Sequence, residues 1–402
     1  MKRVLRLWVG LGLLGLLLRG EQPPTEVSGI FPTGRIADAV ESAPWLTIRG
    51  EPSEPIVIGP ADDHPLAEVD RDAGVSVQLG DGSIVWFFGD SALFDQGGVL
   101  RSFVIGTAAW AQPGMPAVTL ESTTGKLAPF ARPTADFPAC PAEASTPGMW
   151  PASAVAVPTS AGDRVVVWMY NICLGPHQAS ADRGMSLGVW DYVRDDPPAD
   201  REIQVEVRRQ TTGAQVGETS FSDVDGWIYS IGCERHPLPD GSSPACRLGR
   251  TSPRDVTDPN RLQFRTLGGW DRDVRRSVRI RDARGVAFAP PGPFSVGRDE
   301  SSGALVMVYS ELPSDGFVVR VARQVEGPWS DPVHVQLPGC FEHIGSRTMA
   351  CYAANLQPVF SEPGRIGIGY YDQYVQARGG RGAFQVTTVP VEISLRPSAG
   401  SG

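Results

Sequence analysis

A β-hairpin pattern that recurs along the chain restricts the possible folds more than any other feature. In its first copy, residues 75–79 and 84–89 are typical of strands, and the turn Asp81-Gly82 between them is a strong hairpin signal. In each copy the second strand is apolar and ends in an aromatic residue followed by small or polar residues. The turn glycines recur at intervals of 61–80 residues, at Gly82, Gly162, Gly226, Gly303 and Gly364. This spacing predicts a repeat architecture.

Further strands are indicated after most of these hairpins. A third strand is predicted at residues 102–110, 185–192, 317–325 and 383–391, and a fourth at residues 202–208 and 333–337. Five units of four antiparallel strands predict an all-β fold, a five-bladed β-propeller that occupies residues 45–396 as a single domain. A pair of β-sandwiches is the alternative architecture. In a propeller, the ligand site is expected where the innermost strands begin, at one mouth of the central channel.

The composition agrees with short strands and many turns. The 402 residues include 46 glycines and 36 prolines, while the apolar fraction is ordinary. The net charge of -9 argues against nucleic acid or an anionic membrane surface as a partner.

The N-terminus has the pattern of an export signal. Lys2, Arg3 and Arg6 precede an apolar run over residues 7–18, which Arg19 closes. Such a run is too short to span a bilayer but suits a signal peptide, predicted at residues 1–20. A retained N-terminal anchor is the alternative, and residues 21–44 are predicted to be a linker. We therefore expect a secreted or cell-surface protein.

Six cysteines fit an oxidising compartment. Pairing nearest neighbours, which is one of 15 possible connectivities, predicts three structural disulfides. These would join Cys140 to Cys173, Cys233 to Cys246 and Cys340 to Cys351. No two cysteines have Cys-x-x-Cys spacing, so neither a zinc site nor a redox motif is favoured.

The repeat separates acids at the hairpin turns from acids at the opposite, mouth edge. Asp72 stands before the first innermost strand, and Asp90 follows its partner strand. A three-residue loop would place Asp72 directly opposite Asp90, with Cβ atoms about 5 Å apart, so that the two titrate as a pair. A two-residue loop would instead oppose Ala73 to Asp90 and put the aspartates on opposite faces. The sequence leaves both registers open.

Other candidates are predicted from their position near the same edge. Glu342, in the loop between Cys340 and Cys351, is a possible third acid. A sugar ring could stack on Trp150, and three polar residues are predicted to bind substrate, namely Asn171, Arg347 and Asn355. For each of these residues a capping, packing or solvated role is the competing interpretation.

Most cofactor chemistry finds no support in the sequence. The five histidines are dispersed, and the phosphate-loop and dinucleotide fingerprints are absent. We therefore expect no cofactor and no catalytic metal. The one exception is a structural Ca²⁺ in the channel, which oxygen ligands would hold.

The first hairpin also resembles a known family signature. Asp72-Ala73-Gly74, the following strand, Gly82 and the segment Trp86-Phe87-Phe88-Gly89-Asp90-Ser91 are similar to the opening of a family of secreted bacterial five-bladed propellers. That family, formerly of unknown function, includes endo-acting D-arabinan hydrolases. More distantly, the chain resembles the arabinanase, fructosidase and xylosidase propellers. The resemblance implies that Asp72 and Asp90 are the mouth aspartates. Ala73 departs from the more usual Leu, and Ser91 from Thr.

Two hypotheses about function follow. The first is an exported, endo-D-arabinanase-like glycoside hydrolase that acts on a furanose-containing polysaccharide with Asp72 and Asp90 as its paired carboxylates. Their close spacing favours a retaining mechanism. The second is a non-catalytic propeller that binds cell-wall glycan or an exported protein, and a purely structural surface protein is a third possibility.

Overall fold

The computed structural model describes most of the chain after its N-terminal segment. The described residues are 45–122, 124–142, 145–175, 179–180, 183–194, 202–211, 216–234, 244–311, 316–340, 351–372 and 382–394. The predicted signal peptide and linker lie outside them. Within the described ranges, no helix has the length and apolarity needed to cross a membrane.

In the described residues, 25 strands form five blades of mainly antiparallel strands around a ring, which confirms the predicted five-bladed β-propeller. The chain enters through β1 (Trp45–Ile48) and β2 (Ile56–Val57). Blade one follows, with β3 (Gly59–Pro60), β4 (Val69–Arg71), β5 (Val75–Gln78), β6 (Ile84–Phe94), β7 (Leu100–Ala111) and β8 (Val118–Leu120). Strands β4 and β5 together form its innermost strand, because both pair with β6.

Blades two and three follow the same plan. Blade two contains β9 (Thr146–Pro158), β10 (Gly162–Leu174), β11 (Ala179–Ser180), β12 (Met185–Val193) and β13 (Glu206–Thr211). Blade three contains β14 (Thr219–Ser222), β15 (Ile228–Glu234), β16 (Ala245–Thr251), β17 (Gln263–Thr266) and β18 (Gly269–Asp271). Two 3-10 turns, Pro259–Arg261 and Val274–Arg276, accompany blade three.

Blades four and five complete the ring. Blade four contains β19 (Phe294–Arg298), β20 (Leu305–Glu311), β21 (Gly316–Ala322) and β22 (Val333–Val335). Blade five contains β23 (Cys351–Leu356), β24 (Arg365–Asp372) and β25 (Ala383–Ser394), with a 3-10 turn at Pro358–Phe360. Its outermost strand is β1, which pairs with β25, so the start of the domain closes the ring.

Apolar side chains fill each contact between neighbouring blades. Along β20, Leu305, Met307 and Tyr309 pack towards blade three, whereas Val306 and Val308 pack towards blade five. A strand buried on both faces must be apolar at every position rather than at alternate ones. This requirement explains the continuous apolar runs that mark the second strand of each repeat.

All three predicted disulfides are present. They join Cys140 to Cys173, Cys233 to Cys246 and Cys340 to Cys351. Cys233 and Cys246 are directly opposed in the ladder between β15 and β16. Three disulfides fit a protein of an oxidising, extracellular compartment.

Candidate active site

The register of the first hairpin decides whether the two aspartates meet. Arg71 is opposite Ser91, and Val75 is opposite Phe87, so β4 and β5 pair with β6 in one continuous register. The Leu79 N–H donates to the Ser83 carbonyl at 2.8 Å, which closes a three-residue loop. Asp72 therefore lies opposite Asp90, and its N–H donates to the Asp90 carbonyl at 3.1 Å. Of the two registers that the sequence left open, the structure has the one that brings the aspartates together.

The backbone around Asp72 is shaped to accommodate its side chain. The innermost strand breaks between β4 and β5, where Ala73 adopts a left-handed φ of 47°. The Asp72 carboxylate folds over the neighbouring strand, and its Oδ1 accepts the Asp90 N–H at 2.6 Å. A Cβ on Gly89 would come within 2.3 Å of this Oδ1. Position 89 must therefore be glycine, because a side chain there would displace the Asp72 carboxylate.

Two further blades supply donors to the pair. From blade five, the Tyr352 hydroxyl donates to Asp72 Oδ2 at 3.0 Å. From blade two, the Trp150 indole N–H donates to Asp90 Oδ1 at 2.7 Å. Both aspartates keep part of their surface exposed, so the pair is accessible at the mouth. The site is thus assembled from blades one, two and five.

The two carboxyl groups have different electrostatic surroundings. Burial raises the pKa of Asp72 to about 6, although the Asp90 N–H and the Tyr352 hydroxyl both act to lower it. Burial and the charge of Asp72 raise the pKa of Asp90 well above its ordinary value, and the single donor from Trp150 opposes this weakly. The pKa values of both carboxyl groups are thus raised, and their charges oppose each other, so the two aspartates titrate as a pair.

A second carboxylate–tyrosine pair lies behind the first. Asp70 is 2% exposed, and the Tyr371 hydroxyl donates to its two carboxylate oxygens at 2.8 and 3.0 Å. Tyr371 is opposite Tyr352 in the ladder between β23 and β24, with ring centroids 5.1 Å apart. Asp70, Tyr352 and Tyr371 were not among the residues predicted from sequence. Asp70 had one usable signal, because it lies two residues before Asp72.

Two more buried carboxylates occupy the mouth edge. Glu218 precedes β14 as Asp72 precedes β5, and its Oε1 accepts the Cys233 N–H at 2.7 Å. Asp372 ends β24, and its Oδ2 accepts from the Gln385 amide at 3.0 Å. Neither residue is among the site residues predicted from the sequence.

The remaining predicted site residues fall in different places. Asn355 lies beside the pair, where its amide donates to the carbonyl of Gly74 at 2.8 Å. Asn171 is buried in blade two, and its Oδ1 accepts from Ser186 at 2.6 Å, so the side chain is held inside the blade. Glu342 and Arg347 lie outside the described residues, in the segment closed by the disulfide between Cys340 and Cys351.

Metal-ligating side chains do not cluster in the part of the chain that the structure describes. Within it, no group of three or more His, Cys, Asp or Glu side chains could hold a metal ion. The suggestion of a structural Ca²⁺ in the channel remains a prediction.

Comparison with protein families places this hairpin inside a defined domain. The model described as "Domain of unknown function (DUF4185)" matches residues 70–370, which is well over half of the chain and includes Asp72 and Asp90. The chain belongs to this family. Its match begins at Asp70, the first carboxylate of the site. A comparison with curated proteins finds no match.

Solved structures share the fold. A candidate hydrolase from Bacteroides ovatus is 16% identical, with a TM-score of 0.54, over 79% of this chain and 85% of its own. The GH43_1 enzyme from Xanthomonas citri, complexed with xylotriose, is 12% identical, with a TM-score of 0.45, over 81% and 88% of the two chains. A GH43 β-xylosidase/α-arabinofuranosidase from a compost metagenome has the same identity and TM-score, over 83% of this chain and 95% of its own. At these identities the likeness concerns the fold.

Proposed function

We propose that this protein is an exported glycoside hydrolase that cleaves a furanose-containing polysaccharide, with endo-D-arabinanase-like action. The observation that carries the proposal is the directly opposed pair of Asp72 and Asp90, both partly exposed and both with a raised pKa. Two carboxyl groups, one charged and one protonated, are what glycosidic cleavage requires. The three disulfides support export.

The geometry favours a retaining mechanism. The Asp72 Oδ1 lies 2.6 Å from the Asp90 backbone nitrogen, so the two side chains start from adjacent positions, and retaining enzymes need a closer carboxyl pair than inverting ones. The Asp72 carboxylate would attack the anomeric carbon while Asp90 gives its proton to the departing glycosidic oxygen. The glycosyl ester on Asp72 would then be hydrolysed by a water that Asp90, now ionised, deprotonates.

The surrounding donors support this assignment of roles. Asp72 accepts two hydrogen bonds, from the Asp90 N–H and the Tyr352 hydroxyl, and both stabilise its charged form. The Asp90 Oδ1 accepts a hydrogen bond from the Trp150 indole N–H. We assign the proton of the general acid to the other oxygen of Asp90, Oδ2. Among proteins of the same fold, the candidate hydrolase of Bacteroides ovatus agrees with the reaction class.

The test is hydrolysis of D-arabinan by the parent and by Asp72→Asn and Asp90→Asn, with product size and anomeric configuration followed by NMR. We expect short oligosaccharides of retained configuration from the parent. Each variant should lose about 10²–10⁴-fold in kcat/KM, the usual contribution of a positioned acid, base or nucleophile. An active parent with unimpaired variants would remove the two residues from the mechanism. Glycan binding without turnover would instead establish the non-catalytic alternative.

A further inference from the structure

The Tyr352 side chain connects the last blade of the propeller to the first. Its hydroxyl donates to Asp72 Oδ2 across 280 residues of sequence, while the Asp72 Oδ1 is held by the Asp90 N–H of its own blade. Each oxygen of the Asp72 carboxylate therefore has its own donor. One donor is the backbone N–H of Asp90, which substitutions of the side chain other than proline retain, and the other is a single side chain that can be tested.

The support of Tyr352 is unusually rigid. The preceding residue, Cys351, is fixed by its disulfide to Cys340, and the following residue, Ala353, has a left-handed φ of 57°. Ala353 and Ala73 are the two non-glycine residues with positive φ in the described chain, and they flank the two partners of this hydrogen bond. Backbone strain of this kind persists where the surrounding packing holds it, and it concentrates at functional sites.

Packing links the two strained positions directly. Tyr352, Ala353 and Tyr371 form one buried cluster, and Ala73 packs against it. The ring of Tyr352 is 4% exposed, so its hydroxyl has little freedom to leave Asp72 for water. Burial and the charge of Asp72 raise the pKa of Tyr352 well above its ordinary value, so the phenol remains a donor at any working pH.

We propose that Tyr352 is a positioning residue for Asp72, one that fixes the orientation of this carboxylate and stabilises its charged form. This inference rests on the proposed function for its catalytic meaning, but the hydrogen bond can be tested without it. The Tyr352 hydroxyl of blade five thus gives Asp72 a hydrogen-bond environment different from that of Asp90.

The described titratable groups around Asp72 belong to blades one and five. In blade one, Asp90 lies opposite Asp72, and the charges of the two carboxylates oppose each other. From blade five, Tyr352 donates to Asp72, whereas Tyr371 donates to Asp70. A hydrogen bond from Tyr352 favours the charged form of Asp72, so its loss must raise the pKa of Asp72.

The chain supplies a matched control. Tyr371 has the same relation to Asp70 that Tyr352 has to Asp72, since it lies on the paired strand, is buried, and donates to an aspartate two residues earlier in blade one. Tyr352→Phe and Tyr371→Phe each remove one hydroxyl and keep one ring. A merely structural role predicts similar consequences for the two variants.

The experiment follows the titration of the Asp72 side chain by carboxyl ¹³C NMR, and the pH profile of kcat/KM on D-arabinan, in the parent and both variants. In Tyr352→Phe we expect the Asp72 titration and the acid limb to move upward together by about one pH unit, equivalent to one hydrogen bond, with about tenfold lower kcat/KM on the acid side. In Tyr371→Phe both should stay within a few tenths of a unit.

The outcomes separate the two proposals. An unshifted Asp72 titration in Tyr352→Phe, or an equal shift in Tyr371→Phe, would overturn the role of Tyr352 whether or not the protein cleaves arabinan. Absence of hydrolysis with a selective NMR shift would overturn the proposed function alone. If Tyr352→Phe does not fold, 3-fluorotyrosine at position 352 replaces it. This residue is a stronger donor, so it must move the Asp72 titration downward.

Discussion

Arg71 and Asp72 are neighbours in the chain, yet their side chains lie in opposite electrostatic surroundings. Arg71 forms a bidentate ion pair with Glu121, at 2.7 and 2.8 Å, and both side chains are almost fully buried. Burial opposes ionisation of Glu121, but the charge and hydrogen bonds of Arg71 outweigh it and lower the pKa of this carboxyl. One residue further on, the donors to Asp72 among the described residues are both neutral, and its pKa is raised.

The difference shows how one strand can serve both structure and chemistry. A guanidinium beside a buried carboxylate fixes its charge, so Glu121 is stabilising but chemically inert. Neutral donors hold Asp72 in place without fixing its charge, so the pair of Asp72 and Asp90 can exchange protons near neutral pH. The Arg71 guanidinium also lies 4.6 Å from the ring centroid of Phe88. The ion pair and this ring contact hold Arg71 in place, directly before Asp72 in the chain.

The largest effect is expected from breaking the ion pair. Arg71→Met should lower the free energy of unfolding by about 3–5 kcal/mol, because Glu121 would remain buried without a counter-charge. Urea unfolding at pH 7 measures this loss. The double variant Arg71→Met with Glu121→Leu should recover most of it, since no charge remains to be buried. A double variant as unstable as the single one would show that packing, rather than charge, makes Arg71 important.

A smaller change in the free energy of unfolding, of opposite sign, is expected from substitution of Asp72. The folded pKa of Asp72, about 6, exceeds its ordinary 3.8, so ionisation costs folding free energy as the pH rises between these values. Asp72→Asn keeps the shape without the charge. It should therefore stabilise the protein by about 1–2 kcal/mol at pH 8, after allowance for partial exposure, and by almost nothing at pH 3.5.

Urea unfolding of the parent and of Asp72→Asn at the two pH values measures this difference in stability. The matched control is Asp70→Asn, because Asp70 is a buried aspartate of the same strand that also accepts from a tyrosine hydroxyl. An Asp72→Asn variant that is destabilised at pH 8 would mean that its carboxylate is structural, like Glu121. Gain of stability with loss of activity would be the expected trade-off at a functional site.

Local patterns were enough to predict the fold and one register that brings Asp72 and Asp90 together. The repeated apolar strands indicated five blades because each is buried on both faces. The same pattern placed Asp72 and Asp90 at one edge. The register depended on whether the turn used two or three residues, a choice that the turn glycines alone do not determine.

The donors and the ring closure could not be predicted in the same way. Tyr352 approaches Asp72 because blade five closes against blade one, and this contact joins residues 280 positions apart. The closing strand Trp45–Ile48 is even more remote in sequence from its partner β25. Neither pairing has a local sequence signal, since it depends on the number of blades and on how the ring ends. Tyr352 and Tyr371 therefore had the appearance of ordinary core aromatics.

The smallest effect is expected from an ion pair that the solvent screens. Arg164 and Asp191 face each other across β10 and β12 in an ion pair that is also bidentate, through Nε and Nη2, but their side chains are 45% and 56% exposed. The hydrogen bonds and charge of Arg164 lower the pKa of Asp191. Even so, Asp191→Asn should change the free energy of unfolding by no more than about 0.5 kcal/mol at pH 7, and by less in 1 M salt. A loss approaching that of Arg71→Met would mean that geometry, and not removal from water, determines what an ion pair contributes in this propeller.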